Sequence, residues 1–375
     1  MEAAARPDVP DALTEATRHQ PRARATLSAA LASPGHAYLF RGPRGSGKAA
    51  AARAFAAELL TRGASDPEDA RRRALLDPSP HPDLVWLRPP GAQHLVEDVR
   101  ESVIRAASLS PSEGERRVFV IEEAEDLRDE SQNALLKTLE EPAPFAHLIL
   151  ICSEPELLAE TIVSRCAPVE FGPLAPDAVL EALGAGDEAS AAARLSGGDV
   201  ELARLLVEAR GTALRATAEA AARAARSDSA KPEPWRELLD AASEAGSEAG
   251  EAEERRLLEE AESSGRGRKA RLTREATEQV RRTERRARTQ ALDLGLALCC
   301  AWYRDLAAVA SGADDVVLNA DRLAELTEDA EGLDPPGARR AVEWVLDTRR
   351  RLRLNVSEEL ALESLWLRLA AELGR

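Results

Sequence analysis

The sequence predicts an α/β domain built on a five-stranded parallel sheet, followed by a small three-helix segment and an all-α C-terminal domain. In the first half, short runs of Val, Leu and Ile alternate with helical stretches, which is typical of parallel strands covered by helices on both faces. After Pro173 the strand signals end and the remaining residues show helical periodicity. Aromatic residues make up only 3% of the chain, so aliphatic side chains must form its cores.

Each predicted strand is a short apolar run. The runs lie at 38–41, 84–87, 118–121, 148–151 and 169–171. An Ala-rich helix is predicted at 49–60, directly after the first strand. Another helix, which Asp129 would cap, is expected to end at Glu141 because Pro142 and Pro144 follow. The small segment contains short helices at 177–183, 189–195 and 200–209.

These signals divide the chain into an α/β domain at 1–174, a three-helix segment at 175–211 and a helical domain at 212–375. The last contains a charged insertion at about 243–289, in which an acidic stretch precedes a basic one. We expect a solvated helical hairpin with opposite charges facing each other, or a partly disordered insertion. A DNA-contacting arm is the alternative, although glutamates interrupt the basic stretch and no aromatic side chain is present for base stacking.

Composition excludes some classes of protein. The formal net charge of −16 argues against a protein that holds nucleic acid mainly through bulk electrostatics. The apolar run at 294–303 is too short to span a bilayer, and the N-terminal residues do not form a secretion signal. The four cysteines have neither disulfide nor zinc spacing. We therefore expect a cytoplasmic protein without a membrane partner.

A phosphate-binding loop is predicted directly after the first strand. Its glycines, serine and lysine match the pattern Gly-x-x-x-x-Gly-Lys-[Ser/Thr], and the residues are Gly42, Gly45, Ser46, Gly47 and Lys48. Backbone N–H groups at the start of the following helix would point at an anion. The pattern ends in Ala49, however, where a hydroxyl would hold Mg²⁺.

Two further strands are followed by polar residues of the kind that bind Mg²⁺ and activate water in nucleotide-hydrolysing sites. Glu122 and Glu123 follow the third strand, at the positions that present carboxylates to Mg²⁺ and to an attacking water. The first acid of such sites is usually Asp, and the longer Glu122 side chain would displace its carboxylate from an octahedral Mg²⁺ shell. Ser153 supplies a hydroxyl after the fourth strand. Alternatively, the acids only terminate a strand at the surface.

The next motifs indicate a family. Residues 133–142 read Asn-Ala-Leu-Leu-Lys-Thr-Leu-Glu-Glu-Pro, and Ser164-Arg165-Cys166 follow the fourth strand. This order resembles the AAA+ clamp-loader subunits of bacterial DNA polymerase III, which carry a Leu-Leu-Lys-x-Leu-Glu-Glu-Pro helix and a Ser-Arg-Cys motif. The likeness covers about 20–210 well and the C-terminal helices, including 355–369, more loosely.

The resemblance implies an AAA+ fold in which the three short helices form a lid and the C-terminal helices form an oligomerisation collar. It implies gamma/tau and delta subunits as partners, and contact with the sliding clamp and primed DNA through the complex. In this family the arginine of the Ser-Arg-Cys motif reaches across a subunit interface to the ATP of a neighbour. The matching residue is Arg165, which would be an arginine finger.

Departures from the ATP-hydrolysing pattern point to a subunit without its own ATPase activity. Ala49 lacks the hydroxyl, Glu122 replaces Asp, and Glu201 stands where a nucleotide-sensing arginine is found in the family. Because Lys48 is retained, ATP or ADP could still bind weakly to the degenerate loop. Many subunits of this type hold zinc through four cysteines, whereas residues 61–83 contain none, so zinc is not predicted.

The predicted function is a largely non-catalytic stator of the clamp loader that supplies Arg165 to a neighbouring gamma/tau site. Two alternatives remain. One is a self-sufficient ATPase of the gamma/tau kind that tolerates Ala49 and Glu122. The other is a pure scaffold subunit that needs neither the nucleotide nor the arginine.

Overall fold

The computed structural model describes residues 11–89, 93–184, 186–226, 233–263, 274–352, 354 and 356–374. The chain divides into two compact units, Met1–Ala178 and Val179–Arg375. The predicted fold class is confirmed, since the first unit contains a five-stranded parallel sheet and the described elements of the second are helices. Asn355, which begins the C-terminal likeness, lies outside the described residues, as do residues 264–273 of the charged insertion.

The sheet has the strand order β2-β3-β4-β1-β5, and every neighbouring pair is parallel. The strands are β1 (Ala37–Arg41), β2 (Leu84–Leu87), β3 (Arg117–Ile121), β4 (Ala146–Cys152) and β5 (Ala167–Glu170). All five lie where apolar runs predicted them, although β5 ends at Glu170, one residue before the predicted end. β1 is therefore an inner strand, between the central strand β4 and the edge strand β5, and the loop that follows it leaves from inside the sheet.

Side chains that alternate along the strands fill two separate cores. Tyr38 and Phe40 of β1 pack on one side with the apolar residues of the first four helices. Ala37 and Leu39 point to the other side, where they pack with the helices that follow β2 and β3. This arrangement explains why the strands read as continuous apolar runs, since both faces of a helix-covered parallel sheet are buried.

The helices of the first unit are short, the longest being 13 residues. They are α1 (Asp11–Ala16), α2 (Pro21–Ala32), α3 (Lys48–Leu60), α4 (Pro67–Leu75), α5 (Val96–Asp98, continued as a π-helix over Val99–Arg105), α6 (Asp129–Glu140) and α7 (Glu160–Val163), with α8 (Pro176–Leu183) at the unit boundary. The prediction that Asp129 caps α6 was wrong. Arg128 is the N-cap, with extended backbone, so Asp129 is already the first helical residue and no side chain caps this end.

The second unit is formed by helices around one apolar core, most of whose side chains are aliphatic. They are α9 (Asp187–Leu195), α10 (Val200–Val207), α11 (Ala209–Ala224), α12 (Arg236–Ser263), α13 (Arg274–Ala310), α14 (Leu323–Ala330), α15 (Pro335–Leu352) and α16 (Glu358–Leu373). Trp302 and Tyr303 of α13 are fully or almost fully buried there, and Leu362, Leu365 and Leu369 form the inner stripe of α16.

The described parts of the charged insertion are the C-terminal part of α12 and the start of α13. These helices approach closely at Gly246, where an added Cβ would lie 2.9 Å from the backbone oxygen of Glu284. Several ion pairs there join residues of the same helix, such as Arg256 with Glu253 and Arg282 with Glu278. The helical part of the expectation thus matches the described residues. The role of the insertion stays a prediction.

Candidate functional site

The predicted nucleotide residues follow strands that lie side by side. Because β1 pairs with β4 and β4 with β3 in parallel register, their carboxyl ends meet at one edge of the sheet. Arg41 is paired with Cys152, so the loop that begins at Gly42 lies beside Ser153. In open parallel sheets this edge is where ligands usually bind.

The backbone of residues 42–48 adopts a shape that requires glycine. Gly42 has φ of 148°, and a Cβ there would lie 2.0 Å from the backbone oxygen of Phe171, so no larger residue fits. Gly47, with φ of 87°, is the N-cap residue of α3. The helix consequently begins at Lys48 with its free N–H groups facing the loop, as a phosphate-binding loop requires.

Lys48 is folded back onto its own loop. Its Nζ donates hydrogen bonds to the backbone oxygens of Gly42, at 2.6 Å, and of Pro43, at 2.5 Å. The hydroxyl of Ser46 donates to the same Pro43 oxygen at 2.8 Å. Lys48 and Ser46 are 5% and 1% exposed, so the loop is closed around its own polar groups.

Gln20, which no motif had singled out, holds this loop in place. Its side-chain nitrogen donates to the backbone oxygens of Ser46, at 3.0 Å, and Gly172, at 2.7 Å. Its side-chain oxygen accepts the N–H of Gly172 at 3.1 Å. One buried amide therefore links the start of α2, the loop and the segment after β5. Only its position next to Pro21 at a helix start marks it in the sequence.

The residues around the loop fit a phosphate group better than they fit a metal. The backbone N–H groups at the start of α3 are those that an anion would contact. Ala49 presents a methyl group that packs against the apolar core of the first unit, and it has no oxygen for Mg²⁺. Lys48 would have to leave its loop carbonyls to reach a phosphate.

Glu122 lies away from the loop. Its Oε2 accepts hydrogen bonds from the indole N–H of Trp86, at 2.8 Å, and from Nε of Arg88, at 2.7 Å. Arg88 also pairs with Asp77, and Arg53 stacks over the Trp86 ring at 4.1 Å. These partners belong to β2 and its surroundings, which β3 and β4 separate from β1. The carboxylate is therefore bound within a surface cluster, where it is not placed to hold a metal at the loop.

The acids that lie near the loop are others. Asp126 is close to Glu123 and Glu125, and burial together with these two carboxylates raises its pKa to about 7, while the opposing charge of Arg44 lowers it. Glu125 accepts the N–H of Ser153 at 3.1 Å. Neither Glu125 nor Asp126 was predicted as a site residue, because only the turn at Glu123 brings their carboxyl groups near the loop.

That turn contains the one non-glycine residue with positive φ in the described chain, Glu123, at φ of 51°. A non-glycine residue in this region is uncommon and is strained unless the surroundings fix it. The turn directs the next residues back toward the loop, since Glu125 reaches the end of β4 at Ser153. Two of the predicted residues, Glu123 and Ser153, thus lie beside Glu125 and Asp126. Glu122 does not.

Arg165 lies near the amino ends of the strands, opposite the edge where the loop begins. It follows α7 and precedes β5, whose first residue, Ala167, is paired with Tyr38 near the start of β1. From Tyr38 to Gly42 the strand advances four residues, about 13 Å at roughly 3.3 Å per residue. The guanidinium donates from Nη1 to the backbone oxygen of Thr161 at 2.8 Å and from Nη2 to Glu140 at 2.7 Å.

Residues 198–201, where the resemblance predicted a nucleotide-sensing position, lie in the second unit. Asp199 is the N-cap of α10, and its carboxylate accepts the N–H of Leu202 at 3.0 Å. Glu201 pairs with Arg204 one turn later, at 2.7 Å. Both acids thus have local structural roles on this short helix.

Ion pairs join α4, which lies within the cysteine-free residues 61–83, to other segments of the first unit. Arg71 of α4 pairs with Glu58 of α3 at 2.6 Å, and Arg73 pairs with Glu113. Within the part of the chain that the structure describes, no group of three or more His, Cys, Asp or Glu side chains is placed to hold a metal ion. In the same described ranges, no helix combines the length and the apolarity that a bilayer span requires.

Comparison with known proteins shows a similarity in the first part of the chain. The model for the family described as DNA polymerase III, delta subunit, matches residues 20–175, which contain the loop, the acidic turn and Arg165. Over this span, the chain is similar to the clamp-loader subunits of bacterial DNA polymerase III. The resemblance predicted from the motifs is therefore confirmed.

Among clamp-loader subunits, the chain resembles the delta-prime type. It is 34% identical over 154 residues to DNA polymerase III subunit delta' of Bacillus subtilis, covering 40% of this chain and 45% of the relative. It is 40% identical over 139 residues to the subunit delta' of Pseudomonas aeruginosa, covering 35% and 41%. The tau subunit of Bacillus subtilis is 33% identical over 150 residues, covering 39% and 26%. These matches span less than half of each relative's length.

A solved structure of a gamma subunit-related protein from Thermotoga maritima is similar over a longer span, with 94% of this chain and 99% of that chain covered. The sequence identity is 16% and the TM-score is 0.45.

Proposed function

We propose that this chain is a largely non-catalytic stator subunit of the replicative clamp loader, which completes the ATP site of a neighbouring gamma/tau subunit with Arg165. The hydrolysing neighbour would use ATP to open the sliding clamp and to place it on primed DNA. This chain would contribute a charge to that reaction and no cleavage of its own.

The observation that carries this proposal is the separation of Arg165 from the chain's own loop. The two lie at opposite edges of the same parallel sheet, more than about 13 Å apart along β1. Arg165 is therefore not placed to serve the loop that contains Lys48. A guanidinium that serves a nucleotide from this position would have to reach one held by another subunit.

The chemistry of the guanidinium suits that task. It is planar and permanently charged, and its fork of N–H donors matches the oxygens of a phosphoryl group. Charge develops on the γ-phosphoryl oxygens during transfer, and an arginine supplied in trans can raise kcat on the order of a thousandfold or more. The Arg165 side chain is 34% exposed, which leaves part of it accessible to a neighbour.

The chain's own loop supports the non-catalytic part of the proposal. Ala49 has no oxygen for Mg²⁺, and Glu122 is bound to Trp86 and Arg88. ATP or ADP could still be held through the backbone of the loop, with Lys48 released from its carbonyl partners. Binding without turnover is the expected behaviour.

We further propose gamma/tau and delta subunits as the partners of the assembly, with clamp and DNA contacted through it. The outer face of α16 supports a role in assembly, because Leu360 and Leu367 lie one above the other there and are 66% and 67% exposed. Large apolar side chains grouped on an exposed helix face commonly mark an interaction surface.

The direct test is the Arg165→Ala variant in a reconstituted clamp loader. We expect the DNA-stimulated ATPase rate to fall sharply, with hydrolysis at the facing site reduced on the order of a thousandfold. Assembly, checked by gel filtration, should be unchanged, because Arg165 is a surface residue. Lys48→Ala is the control and should have only a small effect on the same rate. Unchanged turnover with Arg165→Ala would refute the proposal and favour a pure scaffold.

The likeness to a tau subunit keeps one alternative open, a self-sufficient ATPase of the gamma/tau kind. In that case the purified chain would hydrolyse ATP with Mg²⁺, and Lys48→Ala would abolish this activity. The proposal predicts that the purified chain has no such activity.

A further inference from the structure

The guanidinium of Arg165 is already held in one orientation. Nη1 donates to the backbone oxygen of Thr161 at 2.8 Å, and Nη2 donates to Oε1 of Glu140 at 2.7 Å. An arginine has five N–H donors, so these two bonds fix the plane of the fork and leave other donors for a ligand. No motif indicates that Glu140 has a part in this site beyond its place in the Leu-Glu-Glu-Pro sequence.

On both sides of this contact, a neighbouring residue is buried in a core. Glu140 is the last residue of α6 and follows Leu139, which is 8% exposed, while Arg165 precedes Cys166, which is 6% exposed. Leu139 and Cys166 both belong to the core between the sheet and helices α6 and α7. The two charged side chains meet at the surface of that core, where Glu140 is 50% and Arg165 34% exposed.

We propose that Glu140 is a positioning residue, which together with the Thr161 carbonyl presents the Arg165 fork to the neighbour's phosphoryl group. This inference rests on the proposed function. Without the carboxylate, the long arginine side chain would sample many rotamers and would spend only part of its time in the productive one. The reaction requires correct placement of the charge at the moment of transfer.

The expected magnitude is modest because the pair is half exposed. Ion pairs of this kind contribute about 0.2 to 1 kcal/mol, which corresponds to a factor of at most about five. Loss of Glu140 should therefore lower the rate far less than loss of Arg165 itself. The contribution should also depend more on the hydrogen-bond acceptor than on the negative charge, since the fork is positioned by its bonds.

The test uses the reconstituted clamp loader with variants of this chain. We expect Glu140→Ala to lower kcat of the DNA-stimulated ATPase about threefold to fivefold, with KM for ATP unchanged. Glu140→Gln, which keeps an oxygen acceptor, should restore kcat to within about twofold of the original value. Glu141→Ala is the matched control, because Glu141 is the adjacent exposed glutamate and should leave kcat unchanged.

Three results would overturn the inference: an unchanged or increased kcat with Glu140→Ala, an equal loss with Glu140→Gln, or loss of assembly. The last would assign Glu140 to the subunit interface. Failure of this inference is distinguishable from failure of the proposed function. If Arg165→Ala abolishes turnover at the facing site while Glu140→Ala does not change it, only the positioning role fails.

Discussion

Asp126 is the residue with the most unusual protonation behaviour near the loop. Its carboxyl group is partly buried, and Glu123 and Glu125 add negative charge beside it, so its pKa rises from 3.8 to about 7. The acidic turn therefore keeps a proton up to about neutral pH. The proton reduces repulsion within the acidic turn, and thus any repulsion of an anion at the neighbouring loop.

We predict that Asp126→Asn makes the protein more stable at pH 8 and flattens its pH profile. The folded state holds a proton on Asp126 up to about pH 7, whereas the unfolded chain releases it near 3.8. The folded state with a protonated Asp126 therefore has its full stability below the unfolded pKa of 3.8. This stability is lost as the pH rises through the folded pKa of about 7, because the buried carboxyl group must then ionise beside two other acids. Asn imitates the protonated form, so at pH 8 it should add up to about 4 kcal/mol, the equivalent of the pKa rise from 3.8 to about 7.

The measurement is the free energy of unfolding in urea at pH 5 and at pH 8. Asp129→Asn is the control, since Asp129 is an exposed acid in the first turn of α6. If Asp126→Asn shows the same difference between the two pH values as the original protein, the acidic turn does not hold this proton.

For Glu122, the sequence predicted the position along the chain and did not predict the contacts of the side chain. Its position after an apolar strand was predicted, and the strand is β3. Its hydrogen-bond partners were not predicted, because Trp86 and Arg88 lie 36 and 34 residues earlier and only the pairing of β2 with β3 brings them close. The motif gives the place of an acid along the chain, whereas the neighbouring strand decides where its carboxylate points.

At the scale of secondary-structure elements, the loop after β1 depends on its neighbours. Gln20 precedes α2, and its three hydrogen bonds join the loop to the residues after β5. It is 7% exposed, so water does not replace these bonds. The shape of the phosphate-binding loop is therefore stabilised from outside the loop.

We predict that Gln20→Ala destabilises the first unit by about 1 to 3 kcal/mol, because it removes the side-chain hydrogen bonds to the backbone of the buried Ser46 and of Gly172. It should also weaken binding of a nucleotide to the purified chain, measured by calorimetry with ADP. Gln290→Ala, on the exposed face of α13, is the control and should change neither quantity. Equal unfolding midpoints for Gln20→Ala and the original protein would contradict this role.

The elements themselves were largely predictable from the sequence. Apolar runs fixed the five strands because both faces of the sheet are buried. Helix ends were less certain: α6 begins with Asp129 inside the helix, since Arg128 takes the extended conformation of the N-cap. The turn after Glu123 was not predicted, because a positive φ at a glutamate is imposed by the surrounding structure and leaves no mark in composition.

At the scale of the whole molecule, the assembly proposed above depends on the exposed side of α16 in the second unit. α16 buries Leu362, Leu365 and Leu369 in its own core and leaves Leu360 and Leu367 exposed on its outer side. The sequence predicted the buried stripe from its helical spacing. That Leu360 and Leu367 are exposed could be recognised only once the structure showed which side of α16 is buried.

We predict that the double change Leu360→Glu and Leu367→Glu prevents assembly with gamma/tau and delta subunits while the isolated chain stays folded. Both side chains are largely exposed, so charges there should not disturb the core. Gel filtration of the mixed subunits measures assembly, and circular dichroism checks the fold. Leu157→Glu, at an exposed leucine of the first unit, is the control. Normal assembly of the double variant would exclude this face of α16 from the interface.

The central claim is that Arg165 serves a nucleotide held by another subunit. The most direct measurement is a structure of the assembled clamp loader with a non-hydrolysable ATP analogue in the neighbouring gamma/tau subunit. We predict that the Arg165 guanidinium lies within hydrogen-bond distance, about 3 Å, of the γ-phosphoryl oxygens across the interface. A guanidinium in open solvent, remote from every bound nucleotide, would contradict the claim.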